Sequence, residues 1–311
     1  MKRQGMKVSR RGFLGATAAT AASTVIPVRL LAADKPNSKF DGVQIGVITY
    51  SYHGQPQSAE QVLSYLVENG LSSVELMNNA INPFIKRPSI DKDAPDASDK
   101  WLAASESPEI MERCAALRKM YADAGVTIHT AKFDDIGNGN ITAGQNEFYF
   151  KVAKALGAKS ITREVDLSGD VSKRIGAMAD KHKIYVAFHN HTQINAKTYD
   201  SPAILTNDYL AINLDIGHYV AANDDCVLEV IEKFSKRISS LHLKDRKSKA
   251  NGGANMPFGE GDTPIVDALK LIRKNKYTFP GDVEQEYKVP EGSNTIKEVT
   301  KCVQYCKKAL S

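Results

Sequence analysis

Apolar residues return along this chain in two alternating rhythms. Short β-rich runs at 43–51 (VQIGVITYS), 72–77, 126–133, 159–164, 184–191, 210–218, 237–245 and 281–287 read as strands. Between them, apolar residues recur every three or four positions, which predicts helices over 58–70, 108–125, 144–157, 169–182, 224–235, 263–275 and 293–309, with a short helical stretch near 201–207. The first of these starts on Ser58 and stops at Gly70. Eight strands, nearly all separated by helices, predict an α/β chain with a parallel sheet and helical crossovers. Closed in a ring, they make a single-domain (β/α)8 barrel, for which the roughly 280 residues after the N-terminal segment suffice. An open doubly wound sheet is the alternative. It would carry a glycine-rich phosphate loop after the first strand, and VITYSYHGQPQSAE has no G-x-G-x-x-G. The segment 78–107, rich in Pro, Asp and Ser and containing Trp101, is too long for an ordinary loop. It follows the second strand, so it is expected over the barrel mouth as a partial lid.

A barrel of this kind carries its chemistry at the C-terminal ends of its strands, and the polar residues gather there. The second strand has Glu75, the third His129 and Lys132, and the fourth Arg163-Glu164. The fifth ends in His189-Asn190-His191, the sixth in Asp215 and His218, the seventh in His242, Lys244 and Asp245, and the eighth in Glu284 and Glu286. Of the seven histidines, only His182 falls on a predicted helix. Carboxylates and imidazoles on neighbouring strands can converge on a divalent cation such as Mn, Zn, Co or Mg. Each also has a structural reading. Glu75 pairs with Lys132 or Arg163, His129 is a hydrogen-bonded barrel residue, Asp245 caps a loop, and Trp101 either packs locally or offers a ring to a sugar face. The basic run KDRKSK (244–249) reads as a solvated loop.

Charge and cysteine content narrow the function. The formal net charge is +5, but the first 33 residues hold six basic residues and no acidic one, so the rest of the chain carries −1. That balance argues against a nucleic-acid partner. Arg10-Arg11, followed by Phe13-Leu14 and an Ala-rich apolar run, resembles a twin-arginine export signal, with cleavage after Ala33 and a periplasmic or secreted product. The run is too short and too rich in Ala and Thr to span a bilayer, and no other stretch is long enough, so no membrane association is expected after cleavage. Cys114, Cys226, Cys302 and Cys306 form no zinc-ribbon pattern and read as buried, inert thiols.

FHNH (188–191), LDIGH (214–218), LHLKD (241–245) and DVEQE (282–286), in this order and spacing, resemble the xylose isomerase-like TIM-barrel superfamily, which includes sugar phosphate isomerases/epimerases, inosose dehydratase and, more distantly, endonuclease IV. The resemblance covers nearly all of the chain after the export segment. It implies that Asp215, His242 and Glu284 bind one divalent metal, Mn foremost, with Glu286 competing on the last strand. His189 stands where the epimerases have a glutamate, as in inosose dehydratase, so the fourth ligand is His189 or Glu164. Both are also catalytic candidates, with Lys244. Glu75, His129, His191, His218 and Trp101 are the substrate-binding candidates.

The expected function is therefore a metal-dependent carbohydrate enzyme, in which a ring residue takes a proton next to a carbonyl. Elimination of a β-substituent from a keto-sugar such as a 3-keto-glycoside, in the manner of a lyase or dehydratase, stands beside isomerisation or epimerisation through the same enediolate. An endonuclease IV-like phosphodiesterase would need a multi-zinc cluster and a basic face, and a non-catalytic sugar-binding barrel is the remaining class. Homo-oligomer formation is left open.

Overall fold

Apolar residues alternate along several of the predicted strands, as at Val43, Ile45 and Val47 or at Leu210, Ile212 and Leu214, and all of these are buried. The structure, a computed structural model, describes residues 35–311; the expected twin-arginine signal over residues 1–33 lies outside the described residues. A two-residue strand β1 (Lys39–Phe40) pairs antiparallel with β2 (Val43–Val47). The parallel strands then follow as β3 (Ser73–Met77), β4 (Thr127–Lys132), β5 (Ser160–Glu164), β6 (Tyr185–His189), β7 (Leu210–Asp215), β8 (Ile238–Leu243) and β9 (Gly281–Val283). Their order is β1-β2-β9-β8-β7-β6-β5-β4-β3. The curled sheet brings its two ends together at one parallel bridge, Ile48 to Glu75, rather than along a full ladder.

Seven of the helices form where the pattern predicts them, over 58–70, 108–125, 144–157, 169–182, 224–235, 263–275 and 293–309, and local chemistry sets their ends. Ser58 and Gln61 make a reciprocal cap at the start of α1 (Ala59–Glu68), satisfying backbone donors that the first turn would leave unpaired. In chain order α2 (Asn78–Ile85), α3 (Ala97–Glu106), α4 (Pro108–Asp123), α5 (Ala143–Leu156) and α6 (Asp170–His182) follow, then α7 (Ile216–Ala222), α8 (Val227–Phe234), α9 (Ile265–Asn275) and α10 (Thr295–Leu310). Cys114, Cys302 and Cys306 are buried free thiols as expected, whereas Cys226 is exposed. Among the described residues no helix is long and apolar enough to cross a membrane.

Three expectations need correction. The stretch 201–207 is not helical; a 3-10 turn at Thr198–Asp200 precedes it. The run 210–218 is not one strand, because Asp215 ends β7 and begins α7. The segment 78–107 is not an irregular cover but holds α2 and α3, and α3 packs against α5. Trp101 on α3 is 1% exposed, with its ring against Phe148 and under the Arg87 guanidinium. Its apolar area is used up in packing, so it has no face to offer a sugar.

The lumen is unusual for a barrel, where Val, Ile and Leu commonly fill the layers. Glu75, Thr162, Asn213, Ser240, His242 and Asp282 are all wholly buried. Burying so many polar groups is tolerated because they bond one another. Gly46 makes room for this, since a Cβ there would collide with Asp282 Oδ1.

Candidate active site

Asp215 sits at the centre of the site because a helix starts on it. Its Oδ1 accepts the backbone N–H of His218 at 2.6 Å and so caps α7. Asn190 holds the same residue from β6's side, accepting the Asp215 N–H at 2.9 Å and donating to its carbonyl at 3.1 Å. The other oxygen, Oδ2, is buried and makes no hydrogen bond; its nearest cation is Lys244 Nζ at 3.3 Å. Gly217 permits this tight turn, for a Cβ there would run into the Lys244 carbonyl.

His189, Asp215, His242 and Glu284 each place one donor atom so that all lie within 4.8 Å of one another, and all four are buried. The three residues implied by resemblance therefore converge, from β7, β8 and the end of β9. The fourth is His189, from the end of β6. Its Nδ1 faces Asn213 Oδ1 at 2.7 Å, and the Asn213 amide nitrogen donates to Ser240 Oγ at 2.6 Å. That arrangement fixes the His189 tautomer with a proton on Nδ1 and a lone pair on Nε2. Burial, with His242 and Lys132 nearby, holds His189 well below its usual range, so it is neutral.

His242 lies between two carboxylates, with Nδ1 2.8 Å from Glu284 and Nε2 3.0 Å from Glu75. Although its burial opposes charge, these two neighbours raise its pKa well above the ordinary value. Burial likewise works against charge on Glu284, but Lys244 and His242 outweigh it and hold the carboxyl well below its usual range. Asp215 goes the other way, and burial pushes it up to about 7. Lys244 Nζ stands 3.3 Å from Glu284 and 2.8 Å from both Glu286 and His218 Nε2, and the carboxylates keep it protonated despite burial. His218 is 2.8 Å from that ammonium and also faces Arg246; burial and these cations push it down to about 2.

The remaining candidates separate by position. Glu164 is outside the four-residue cluster. It receives Lys132 Nζ at 3.1 Å, lies 3.5 Å from His191 Nε2, and keeps 37% of its side chain exposed. It stands opposite His189 in the β5–β6 ladder, at the mouth. His191 is beyond β6 with 56% of its side chain exposed, its ring 4.7 Å from that of His218. Glu286 bonds Lys244 and Asn255 rather than joining the cluster.

Two substrate-binding expectations fail on geometry. Glu75 is wholly buried and pairs with His242, Thr162 and Asn213 instead of Lys132 or Arg163, so it supports the cluster from below. His129 lies toward the N-terminal end of β4, bonded to Ser73 Oγ at 2.9 Å and Asp282 Oδ2 at 3.0 Å, away from the mouth. Asp245 does close a loop, accepting the N–H groups of Gly259, Gly261 and Thr263.

Asp282, Asn213, Asn190 and Arg246 were not among the sequence candidates. Asn213 and Asp282 stand two residues before Asp215 and Glu284, so extending the period-two alternation down each strand would have found them. Asn190 and Arg246 act through contacts between neighbouring loops, for which local sequence has no signal.

No protein-family profile matches the chain. An inosose dehydratase from Clostridium perfringens (strain ATCC 13124) is 30% identical over 119 residues, 37% of this chain and 37% of that protein. One from Histophilus somni (strain 129Pt) is 26% identical over 152 residues, 47% of each. The chain thus spans less than half the length of these curated relatives. Among solved structures, a xylose isomerase domain protein from Alicyclobacillus acidocaldarius has a TM-score of 0.64 at 12% identity, covering 86% of this chain and 99% of that one. A probable 3-DHS dehydratase from Bacillus anthracis has a TM-score of 0.60 at 14% identity over 82% and 97% of the two chains. A 3-keto-D-glucoside 4-epimerase from E. coli has a TM-score of 0.55 at 13% identity over 85% and 98%. The chain has the α/β fold of these xylose isomerase-like TIM-barrel proteins, and a part of it is similar in sequence to inosose dehydratases.

Proposed function

We propose that this protein is a divalent-metal-dependent enzyme that removes a proton next to the carbonyl of a keto-sugar and expels the β-substituent, as a lyase or dehydratase does. The observation that carries this reading is the buried quartet His189, Asp215, His242 and Glu284, with one Asp215 oxygen left without a hydrogen bond. Two carboxylates and two imidazoles suit Mn, Zn or Co better than a soft metal. A cation held there would polarise a carbonyl or a pair of adjacent sugar oxygens. His242 must first give up a proton, because both its nitrogens now face carboxylates.

The chain's own groups supply the rest. Glu164, half-exposed beside the quartet, takes the C–H proton as general base, and Lys132 Nζ at 3.1 Å orients it. Lys244, protonated between the carboxylates, offsets the negative charge that gathers on the substrate oxygen. His191, exposed at the same mouth, donates a proton to the leaving oxygen as its bond to carbon breaks and the new double bond forms, while His218, held between Lys244 and Arg246, lines the mouth beside it. The dehydratases among the similar proteins favour elimination. Epimerisation is the second reading, favoured by the likeness to the 3-keto-glucoside 4-epimerase, and it differs only in returning the proton to carbon.

The substrate is a small carbohydrate, not a nucleic acid. Residues 1–33 serve as a twin-arginine signal, placing the mature enzyme in the periplasm or outside the cell, with metal loaded on the folded protein before transport. The test is product analysis on a panel of glycosides and their 3-keto forms, in D2O, with and without Mn2+. The expected result is metal-dependent loss of the aglycone or of water, with deuterium entering recovered substrate. Turnover without metal, or none on any keto-sugar, defeats the proposal. One metal per chain by elemental analysis is also expected; several zinc ions would favour the phosphodiesterase.

A further inference from the structure

A second polar centre lies at the other end of the barrel. The N-terminal ends of the strands enclose a cavity of about 580 Å3, within the range that holds small ligands. Its walls hold Ser73, His129 and Ser160 at the starts of β3, β4 and β5. His129 reaches it with 12% of its side chain exposed, anchored from behind by Asp282 at 3.0 Å. Three further lining residues, Lys159, Lys236 and Lys276, are exposed and take part in no ion pair among the described residues. Against these stands one acid of the lining, Asp208, fully exposed and 3.7 Å from Arg237. Arg237 spends Nη2 on two backbone carbonyls, and its buried Nε has no acceptor. Two stacked pairs, Tyr185 on Tyr209 and Tyr277 on Phe279, put rings at the walls.

Cations that converge on a concave surface with hydroxyls and only one acid focus a positive potential there. Lys159, Lys236 and Lys276 carry their charge at this one cavity with no acid paired to any of them among the described residues. We propose that this cavity binds a small molecule through a carboxylate or phosphate group, with its carbon skeleton against the tyrosine rings. The site is separate from the strand-end quartet and does not depend on the reaction proposed there.

Calorimetric titration of the protein with sodium phosphate and, separately, with sodium gluconate tests this, with total ionic strength held constant by sodium chloride. Saturable binding of at least one anion is expected, and the responding arm tells phosphate from carboxylate recognition. The double variant Lys236→Glu/Lys276→Glu, changed only at exposed side chains, should weaken that binding at least fivefold, and the single Lys276→Glu should weaken it in the same direction. No saturable binding of either anion overturns the proposal. So does a dissociation constant in the double variant within fivefold of the unaltered protein, because the anion would then be held elsewhere.

Discussion

Asp215→Asn separates what the site does from what it costs. The variant keeps an oxygen at the Oδ1 position, so the cap on the His218 N–H survives; losing it would cost about 1 kcal/mol. What changes is the buried charge. Burial raises the Asp215 carboxyl from 3.8 to about 7. An acid whose folded pKa is raised binds more protons folded than unfolded between those two values, so stability falls as pH rises through that window. At about 1.4 kcal/mol per pKa unit, the metal-free protein gives up roughly 4 kcal/mol by pH 7.5, less whatever the coupled Glu284 relaxes. Asparagine carries no such penalty. In EDTA at pH 7.5 the variant should therefore be about 2–4 kcal/mol more stable, with the gain shrinking towards zero near pH 4. Addition of Mn2+ should reverse the order, because only the carboxylate gains by binding the ion. Urea denaturation at pH 4, 5.5 and 7.5, with EDTA and with Mn2+, measures both. A variant less stable than the parent in EDTA at pH 7.5, or one stabilised by Mn2+ as much as the parent, refutes the reasoning.

Three further outcomes follow from the same geometry. Asn213→Ala frees the His189 tautomer and should weaken metal binding by about 10–100-fold in a competitive chelator titration, with little change in circular dichroism. Gly217→Ala forces a Cβ against the Lys244 carbonyl and should lower stability by about 1–3 kcal/mol, read as a reduced melting temperature. Glu147 on α5 pairs with His182 and Lys181, which hold its carboxyl below the ordinary value although burial opposes them. Its stabilisation is present above the unfolded carboxyl's pKa and lost as pH falls through the lower folded one. Glu147→Gln should thus cost about 1–3 kcal/mol at pH 7, and the gap should close in acid-denaturation curves below about pH 4.

The strand and helix pattern, the barrel class and three members of the quartet, Asp215, His242 and Glu284, are legible in the sequence. Strand periodicity and helix stop residues are local, and so is the gathering of His, Asp and Glu at successive strand ends; the choice of Asp215, His242 and Glu284 among them rests on the resemblance of LDIGH, LHLKD and DVEQE to the xylose isomerase-like superfamily. Element ends are less legible. Asp215 reads as a strand-end residue, but the run is carried on through His218 because apolar Ile216 follows, and only the capping bond marks the helix start. Trp101 reads as a lid residue because a Pro- and Asp-rich segment hides two short helices, one of which is packed on α5.

Residue spacing alone thus determined which side chains stand at the strand ends, since alternation along a strand is a property of the backbone. Which of them meet was decided only by closing the sheet. His189 rather than Glu164 joins Asp215, and Glu284 rather than Glu286 joins His242, because stagger between neighbouring strands sets each residue's height in the lumen. His129 shows the same rule in reverse: it lies on a strand with Lys132, yet three residues of rise, about 10 Å, put it with the opposite opening.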